Sequence, residues 1–489
     1  MHSIKVLVIV TILGACSVFA SIVQAAPADS GDAPAAGGRP NFLVILCDDL
    51  GYGDLGCYGH RVIRTPHLDR LAAEGMRLTD CYSAAPVCSP SRAGLLTGRN
   101  PNRMGVYDWI PSDHVMHLPA DEVTVATLLR RGGYDTCHVG KWHCNGKFNA
   151  PAQPQPDDHG FSYWFSTQNN AHPSHHNPDN FVRNGTDAGR LEGYACQVVA
   201  DEAIGWLETK RDPDKPFFLF VCFHEPHEPI ASPPALVDSY RQAGVMEQGR
   251  ALYYANVTNM DAAVGRLRAA LDRLDLADTT FIWFTSDNGP ETLNRYRGAW
   301  RSFGSPGPLR GMKLHLYEGG IRVPGILFWP GRTRAGVECP MVVSGVDVLP
   351  TLCELAGVDV PDERPIDGAS IVPIFSGRPV ARQTPLFWFY GAALGGPKFA
   401  LRDGPDKLLA GWNLPEAVGR PLALPENTRR AKQAQLTKFE LYDLSEDLAE
   451  NHDRAGREPG RVEVLGERAS ELFAQIQETC PVWEEPAVR

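Results

Sequence analysis

The stretch "NFLVILCDDLGYGD", residues 41–54, decides the fold class of this chain. Its apolar run from Phe42 to Cys47 stops abruptly at Asp48 and Asp49, and a glycine-rich turn follows. A continuous apolar run of this length is typical of a strand covered on both faces, as in the parallel sheets of α/β proteins. Ligands of such proteins bind at the carboxyl ends of the strands, which is where the two aspartates lie.

A second stretch, "TTFIWFTSDNGPE" at residues 279–291, repeats this pattern much later in the chain. Its apolar run also stops at polar residues, here Asp287 and Asn288, with a glycine directly after them. Because the carboxyl ends of parallel strands lie at one edge of a sheet, we expect the two acidic pairs to meet at one site.

Helical and strand-like patterns alternate around these two strands. We predict helices over residues 65–78, 195–210, 251–274 and 342–357, and strands that end near His143 and His227. This alternation predicts an α/β domain over residues 40–380, with a large, doubly wound mixed sheet flanked by helices. Beyond it, short strands and one terminal helix predict a small antiparallel sheet with a packed helix over residues 381–489.

The N-terminal residues have the pattern of a secretory signal peptide over residues 1–26, followed by a flexible linker over residues 27–39. We therefore expect an exported protein, periplasmic or secreted, without stable membrane insertion. Two alternatives remain open. The apolar run can be retained as a membrane anchor, or "LGAC" can mark a lipoprotein cleavage site at Cys16.

Composition excludes one class of partner and leaves the cysteines undecided. The 489 residues carry a formal net charge of -11 and no run of lysine or arginine, which argues against nucleic acid as a partner. The twelve cysteines form no C-x-x-C pattern, as a zinc ribbon would require. With Cys16 in the leader and Cys88 set aside, the remaining ten are an even number that can pair in disulfides.

The two acidic pairs offer only hard oxygen ligands, from Asp48, Asp49, Asp287 and Asn288. Such ligands suit calcium, with magnesium as the alternative, and disfavour zinc. The competing interpretation is that these residues cap helices and close turns, as Asp and Asn often do. Two pairs at two strand ends favour the metal site.

Four basic side chains follow predicted strands or lie in glycine-flanked loops, namely Lys141, His143, His227 and Lys313. A single histidine in such a position is more often structural than catalytic. Because the overall charge is negative, an anionic substrate would need local cations of this kind or a metal ion.

Several short motifs occur together in this chain. They are "CSPSR" at residues 88–92 with "AGLLTGR" after it, "GKWH" at 140–143, "PHEP" at 226–229 and "EGGIRVP" at 318–324. In this combination the chain resembles the type I sulfatases of the alkaline phosphatase superfamily. Its motifs look closest to the branch of arylsulfatase A and N-acetylgalactosamine-6-sulfatase, and the resemblance runs from about residue 40 to 450.

The resemblance implies a sulfuric ester hydrolase whose Cys88 is converted to Cα-formylglycine by a formylglycine-generating enzyme. The hydrated aldehyde, a gem-diol, would act as nucleophile and form a sulfo-enzyme intermediate. The implied ligands of Ca2+, or of Mg2+, are Asp48, Asp49, Cys88 after conversion, Asp287 and Asn288. The implied catalytic residues are Cys88, Arg92, Lys141, His143, His227 and Lys313.

The family chemistry gives these residues separate tasks. Arg92, Lys141 and Lys313, with the metal, would neutralise charge at sulfur during the attack. His227 and Lys313 would protonate the leaving oxygen. His143 would then take the proton of the second gem-diol hydroxyl, so that the aldehyde re-forms and sulfate is expelled.

A long polar stretch favours a sulfated carbohydrate as the substrate. Residues 159–185 are rich in His and Asn, and predict an irregular loop that binds sugar hydroxyls, unless it is only a surface insertion. Two other functions remain open: a formylglycine-dependent phosphonate or phosphodiester hydrolase, and an inactive glycan-binding homologue. The sequons at Asn184 and Asn256 are glycan acceptors only in a eukaryotic secretory pathway.

Overall fold

The computed structural model describes residues 38–291, 296–416 and 424–484. The predicted signal peptide, and nearly all of the predicted linker, lie outside the described residues. Every element named below belongs to one unit that begins at Arg39. Within the described ranges, no helix combines the length and the apolar character that a membrane span requires.

The strands are numbered in chain order. They are β1 (Asn41–Asp48), β2 (Met76–Leu78), β3 (Cys81–Tyr82), β4 (Asp135–Lys141), β5 (Tyr163–Thr167), β6 (Val182–Arg183), β7 (Thr186–Asp187), β8 (Phe217–Pro226), β9 (Thr280–Ser286), β10 (Gly325–Phe328), β11 (Val337–Cys339), β12 (Val343–Ser344), β13 (Leu386–Phe389), β14 (Phe399–Asp403), β15 (Asp406–Trp412) and β16 (Leu436–Asp443).

The α-helices follow the same convention. They are α1 (Pro66–Glu74), α2 (Cys88–Thr97), α3 (Val125–Arg131), α4 (Ala195–Thr209), α5 (Pro234–Gln242), α6 (Gln248–Arg273), α7 (Glu318–Ile321), α8 (Val348–Ala356), α9 (Pro425–Ala431) and α10 (Pro459–Thr479).

The largest sheet has ten strands in the order β11-β2-β10-β9-β1-β8-β4-β5-β6-β7. Its five central strands, β9, β1, β8, β4 and β5, run parallel to one another. β10 pairs antiparallel with β9 and β2, and β6 and β7 add an antiparallel edge. The prediction of a large mixed sheet is confirmed, and the two strands that end in acidic pairs, β1 and β9, are neighbours.

The side chains of β1 alternate between two apolar clusters, as expected for a strand covered on both faces. Phe42 and Leu46 belong to the cluster that contains residues of α2, α3 and α8. Leu43 and Cys47 belong to the cluster that contains residues of α1, α4, α5 and α6. Helices therefore flank the sheet on both sides, and the polar residues that follow the strands are left at its edge.

A smaller sheet, β13-β14-β15-β16, is antiparallel throughout. α10 contributes Leu472, Phe473 and Ile476 to the same apolar cluster as Phe399 and Leu401 of β14. The predicted small antiparallel sheet with a packed helix is therefore confirmed. The domain boundary near residue 380 stays a prediction.

Two predicted helices are shorter than expected. The helix predicted over residues 65–78 ends at Glu74, because Gly75 terminates it and the chain continues as β2. The helix predicted over residues 342–357 begins only at Val348. Its first residues form β12, which pairs with β3, and a tight turn closed by a capping box.

The stretch 159–185, predicted as an irregular loop, contains β5 and β6. β5 is the fifth parallel strand of the large sheet, with Phe165 opposite Val139 of β4. Phe165 also stacks on Phe181 at 4.7 Å between ring centroids, inside the second apolar cluster. The prediction of an irregular loop was therefore wrong for this part of the stretch, which belongs to the sheet.

The described cysteines are all free. Of these eleven thiols, ten are buried and that of Cys57 is partly exposed. The disulfides that the even count allowed are therefore absent from the described residues, and the ten buried thiols pack as small apolar groups.

The two sequons lie in different surroundings. Asn184 is exposed between β6 and β7, whereas Asn256 is fully buried in α6. The side-chain amide of Asn256 donates a hydrogen bond to the carbonyl of Ala231 at 3.0 Å. In the folded chain, therefore, only the Asn184 sequon is accessible.

Candidate active site

The two acidic pairs meet because β1 and β9 are adjacent and parallel. Asp48 is the last residue of β1, and Asp49 follows it with a left-handed backbone (φ 66°). The backbone N–H of Asp49 donates to Asp287 Oδ1 at 3.2 Å, and Asn288 Nδ2 donates to Asp49 Oδ1 at 2.7 Å. All four side chains are buried, so the sheet edge carries a compact, oxygen-rich cluster.

Two cations cover this cluster from the side of β4. Lys141, the last residue of β4, places its Nζ 2.5 Å from Asp48 Oδ2. Arg92 of α2 donates to Asp287 Oδ2 from Nε at 3.0 Å and from Nη2 at 2.8 Å, and from Nη1 to the carbonyl of Lys141. Although burial alone raises the pKa of Asp48, Lys141 in particular holds it well below the usual value.

The other predicted basic residues lie around Asp49. Lys313 Nζ is 2.7 Å from Asp49 Oδ1 and 3.5 Å from Glu291 Oε2. His227, which follows β8, places Nε2 3.6 Å from Asp49 Oδ2. Burial, followed by the charge of Lys313, lowers the pKa of His227 to about 3. The structure thus brings both acidic pairs, Lys313 and residues of the CSPSR, GKWH and PHEP motifs to one edge of the sheet.

Cys88 is the first residue of α2, and its side chain is buried beside this cluster. α2 begins at Cys88 itself and includes Pro90 in its first turn, where proline is tolerated. Burial raises the pKa of the Cys88 thiol to about 11, against the opposing effect of Lys141 and Lys313. An unmodified Cys88 would therefore be a protonated thiol at neutral pH, and a weak nucleophile.

His143 is held in a defined tautomer. Its Nε2 donates to the carbonyl of Ile110 at 3.1 Å, since a carbonyl can only accept. Its buried Nδ1 has no hydrogen-bond partner among the described residues. Burial, and then the charges of Lys141 and Arg92, lower the pKa of His143 well below the usual value. The imidazole therefore presents a bare nitrogen that can accept a proton.

The residues fit a hard divalent cation. Asp48 Oδ1 and Asn288 Oδ1 are buried oxygens without a hydrogen-bond partner among the described residues. Asp48, Asp49 and His227 each present one ligand atom within 4.8 Å of the others. Burial raises the pKa of Asp49 to about 6 and that of Asp287 to about 7, and Asp48 adds to both. A bound cation would satisfy the unpaired oxygens and offset the repulsion between the carboxylates.

Sequence reasoning missed two polar contacts of this cluster. Asn170 Oδ1 accepts from Lys141 Nζ at 3.2 Å, and Glu291 lies beside Lys313. Asn170 follows β5 just as Asp287 follows β9, so recognition of β5 as a parallel strand would have indicated it. Of the predicted histidine-rich stretch, His175 is buried, whereas His172 is exposed.

Residues 40–358 match the protein family described as Sulfatase. The chain belongs to the sulfatase family. This sulfatase is 36% identical to arylsulfatase A of Homo sapiens over 455 residues, which cover 87% of the chain and 85% of that relative. It is also 36% identical to N-acetylgalactosamine-6-sulfatase of Homo sapiens over 384 residues, which cover 73% of the chain and 69% of that relative. The chain is accordingly a sulfuric ester hydrolase.

Two solved structures share the fold of this sulfatase. Ps i-CgsB, crystallised in complex with k-i-k-neocarrahexaose, matches with a TM-score of 0.75 at 25% identity, over 92% of this chain and 95% of that one. The PsFucS1 sulfatase from Pseudoalteromonas sp. matches with a TM-score of 0.70 at 25% identity, over 91% of this chain and 92% of that one. These likenesses extend over most of the chain and confirm the architecture of the two sheets.

Proposed function

We propose that this sulfatase hydrolyses sulfate monoesters of a sulfated glycan, with position 88 as the nucleophile after conversion of Cys88 to Cα-formylglycine. The observation that carries the proposal is the cluster of three buried cations around position 88. Arg92, Lys141 and Lys313 are each at most 3% exposed, and two of them, Lys141 and Lys313, act directly on the Cys88 thiol. An anionic group that enters this site meets fixed positive charges in a medium that screens them little.

Bound calcium, with magnesium as the alternative, would make the net charge of the site positive. Its ligands would be Asp48, Asp49, Asp287 and Asn288, together with the converted side chain at position 88. The three cations of the site face three carboxylates, with Glu291 as a fourth beside Lys313. A divalent cation therefore leaves the site with a net positive charge, which favours binding of a sulfate monoanion.

The converted side chain explains why a buried cysteine occupies this position. The gem-diol of formylglycine has two hydroxyls, whereas the protonated thiol of Cys88 is a weak nucleophile. One hydroxyl loses its proton and forms an O–S bond, the S–O bond to the alcohol breaks, and the alcohol takes up a proton as it leaves. The second hydroxyl then loses its proton, the C=O bond re-forms, and sulfate is released.

The histidines and lysines supply the proton transfers of this cycle. His143 accepts the proton of the second hydroxyl at Nδ1, because Nε2 is held by the carbonyl of Ile110. Lys313 lies on the other side, beside Asp49, and protonates the leaving oxygen, with His227 next to the same carboxylate. The two proton transfers are thus separated within one site.

A glycan substrate is supported by the relatives. N-acetylgalactosamine-6-sulfatase is named for a sulfated sugar, and Ps i-CgsB was crystallised with a neocarrahexaose. We infer that the substrate of this chain carries its sulfate on galactose or N-acetylgalactosamine.

Maturation must precede folding. Cys88 is 3% exposed and Arg92 is 1% exposed, so a formylglycine-generating enzyme cannot reach this segment in the folded chain. We propose that the enzyme acts on the unfolded chain, and that the leader directs the chain out of the cytoplasm as a periplasmic or secreted protein.

The test is a comparison of substrates with the mature protein. An aryl sulfate, N-acetylgalactosamine 6-sulfate, galactose 6-sulfate, a phosphodiester and a phosphonate are assayed under the same conditions. We expect the highest kcat/KM with a sulfated sugar. A higher kcat/KM with the phosphodiester or phosphonate, or binding of sulfated sugars without turnover, would overturn the proposal.

Removal of the metal provides an independent readout. We expect EGTA to abolish sulfate release and to lower the temperature of unfolding, because a ligand that binds only the folded state stabilises it. Addition of Ca2+ should restore both properties. An unfolding temperature and an activity that EGTA leaves unchanged would contradict a calcium site, and the same result with EDTA, which also removes Mg2+, would contradict the metal site altogether.

A further inference from the structure

Three aromatic side chains stand out because they are exposed. Among the described residues these are Trp109 (46% exposed), Tyr296 (37%) and Trp300 (47%). Most of the ten tryptophans are buried, as expected for the largest apolar side chain. An exposed tryptophan on a rigid segment is a characteristic feature of a binding surface.

The segment of Trp109 is fixed directly to the catalytic residues. The backbone N–H of Ile110 donates to Ser89 Oγ at 3.0 Å, next to position 88. The carbonyl of Ile110 accepts from His143 Nε2 at 3.1 Å and from Gln168 Nε2 at 3.1 Å. Trp109 is therefore the neighbour of the residue, Ile110, whose carbonyl orients the proposed base His143.

The residue before Trp109 fixes the segment on its other side. Asp108 Oδ1 accepts from the backbone N–H of Trp109 at 2.8 Å and from the hydroxyl of Tyr390 at 2.7 Å. Tyr390 follows β13, so the small sheet also takes part in holding the segment. A side chain on a segment held this firmly loses little further freedom when a ligand binds.

The burial of the catalytic groups determines where the rest of a substrate lies. Cys88 and His143 are at most 3% exposed, so the sulfate must enter the protein to reach position 88. The part of the substrate that remains outside lies against the exposed surface around the entrance. Trp109 is exposed and directly precedes Ile110, which contacts both Ser89 and His143, and the C–H groups of a pyranose ring pack well against an indole face.

We propose that Trp109 stacks on a sugar ring of the substrate other than the ring that carries the sulfate. This inference rests on the proposed function and narrows the substrate class to sulfated oligosaccharides. Trp109 then contributes to binding of the chain and leaves the chemical step at position 88 unchanged.

The test compares one sulfated sugar with and without neighbouring sugars. N-acetylgalactosamine 6-sulfate is used as the free sugar and as the non-reducing end of a chondroitin 6-sulfate trisaccharide. For Trp109→Ala we expect the KM of the trisaccharide to rise about tenfold with little change in kcat. Kinetics with the free sugar should stay those of the unaltered protein, and Trp109→Phe should recover most of the loss.

Trp300→Ala is the matched control for the loss of an exposed indole, because Trp300 is equally exposed and its neighbour Arg301 contacts Glu228 and Ile230 rather than the segment 108–110. Its KM for the trisaccharide should be unchanged. Equal KM values for Trp109→Ala and the unaltered protein, or an equal rise in Trp300→Ala, would overturn the inference. A rise with the free sugar as well would also overturn it, because it would indicate a general loss of structure.

The outcomes separate this inference from the proposed function. If the unaltered protein releases no sulfate from the sugars or from an aryl sulfate, the proposed function fails. If it hydrolyses only the aryl sulfate, the proposal of a glycan substrate is wrong, and this inference is wrong with it. If it hydrolyses the sugars and Trp109→Ala leaves the trisaccharide KM unchanged, only this inference fails.

Discussion

At the scale of single residues, the site depends on charges that are buried together. Lys141 and Asp48 are both 0% exposed and their charged atoms are 2.5 Å apart. Burial of an ionised group is costly unless it is paired, so each of these side chains requires the other. Asp48 Oδ1 lies 4.0 Å from Arg92 Nη2 and has no hydrogen-bond partner among the described residues, and it is the atom that most directly indicates a cation.

The two hydroxyls of formylglycine lead to a prediction for Cys88→Ser. A serine hydroxyl at position 88 attacks sulfur but has no second hydroxyl whose deprotonation expels sulfate. We expect one SO3 group per protein molecule on the peptide that contains position 88, and no steady-state turnover. The measurement is the mass of that peptide after incubation with substrate.

Cys88→Ala is the control for this experiment, because it removes the nucleophile and has nearly the same size. It should show neither turnover nor a gain in mass. Continued turnover by Cys88→Ser would exclude a mechanism in which sulfate is released through the aldehyde.

At the scale of elements, patterns of continuous apolar residues located the site. β1 and β9 were predictable because both are long apolar strands that end in acidic pairs, and parallel strands place such ends together. β5 was missed because only five residues form it, in polar surroundings.

Contacts between distant residues could not be predicted from the sequence. His143 donates a hydrogen bond to the backbone carbonyl of Ile110. Every residue type has such a carbonyl, so the sequence does not indicate which one His143 contacts. The resemblance to the family supplied the roles of the basic residues, whereas their spacing alone did not.

The end of β4 leads to a prediction for Gly140, the first residue of "GKWH". Gly140 has φ +101°, and a Cβ built there would lie 1.8 Å from the carbonyl oxygen of Cys222 on β8. We expect Gly140→Ala to lower the free energy of unfolding by about 2–4 kcal/mol, because the strands must separate locally. Sulfate release should fall as well, because Lys141 is the next residue.

Gly205→Ala provides the matched control, measured by urea denaturation alongside Gly140→Ala. Gly205 lies in α4 with nothing within 4 Å of an added Cβ. Alanine is the better helix former, so this variant should be unchanged or up to about 1 kcal/mol more stable. Equal stability of the two variants would contradict the close approach of β4 and β8.

At the scale of the whole molecule, a buried series of alternating charges connects the small sheet to segments that adjoin β2 and β10 of the large sheet. Its members, each within 3.2 Å of the next, are Arg402, Asp80, Arg322, Glu318, Lys407 and Glu450. Lys407 lies on β15 of the small sheet, and Glu318 belongs to the motif that follows Lys313. The small sheet thus holds the segment that follows Lys313.

This series predicts a pH dependence of stability. Burial raises the pKa of Glu450 to about 7 despite the opposing charge of Lys407. Because this pKa is higher in the folded than in the unfolded chain, the folded state holds the proton more tightly. The contribution of Glu450 to stability is therefore full below about pH 4 and is lost as the pH rises toward 7.

Glu450→Gln removes this titration. Between pH 5 and pH 7, the free energy of unfolding should fall less steeply in Glu450→Gln than in the unaltered protein. The two slopes should differ by at most about 1.4 kcal/mol per pH unit. Urea denaturation at both pH values measures the difference. Glu463→Gln, an exposed change on α10, should behave as the unaltered protein does, and the same slope in Glu450→Gln would refute the assignment.

The mass of the tryptic peptide that contains position 88, from protein made in its native host, tests the central claim most directly. The account predicts a peptide in which the CH2SH side chain of Cys88 has been replaced by CHO, with the corresponding decrease in mass. An intact thiol at position 88 in protein that hydrolyses sulfate esters would contradict the mechanism. An intact thiol in inactive protein would instead favour the glycan-binding homologue.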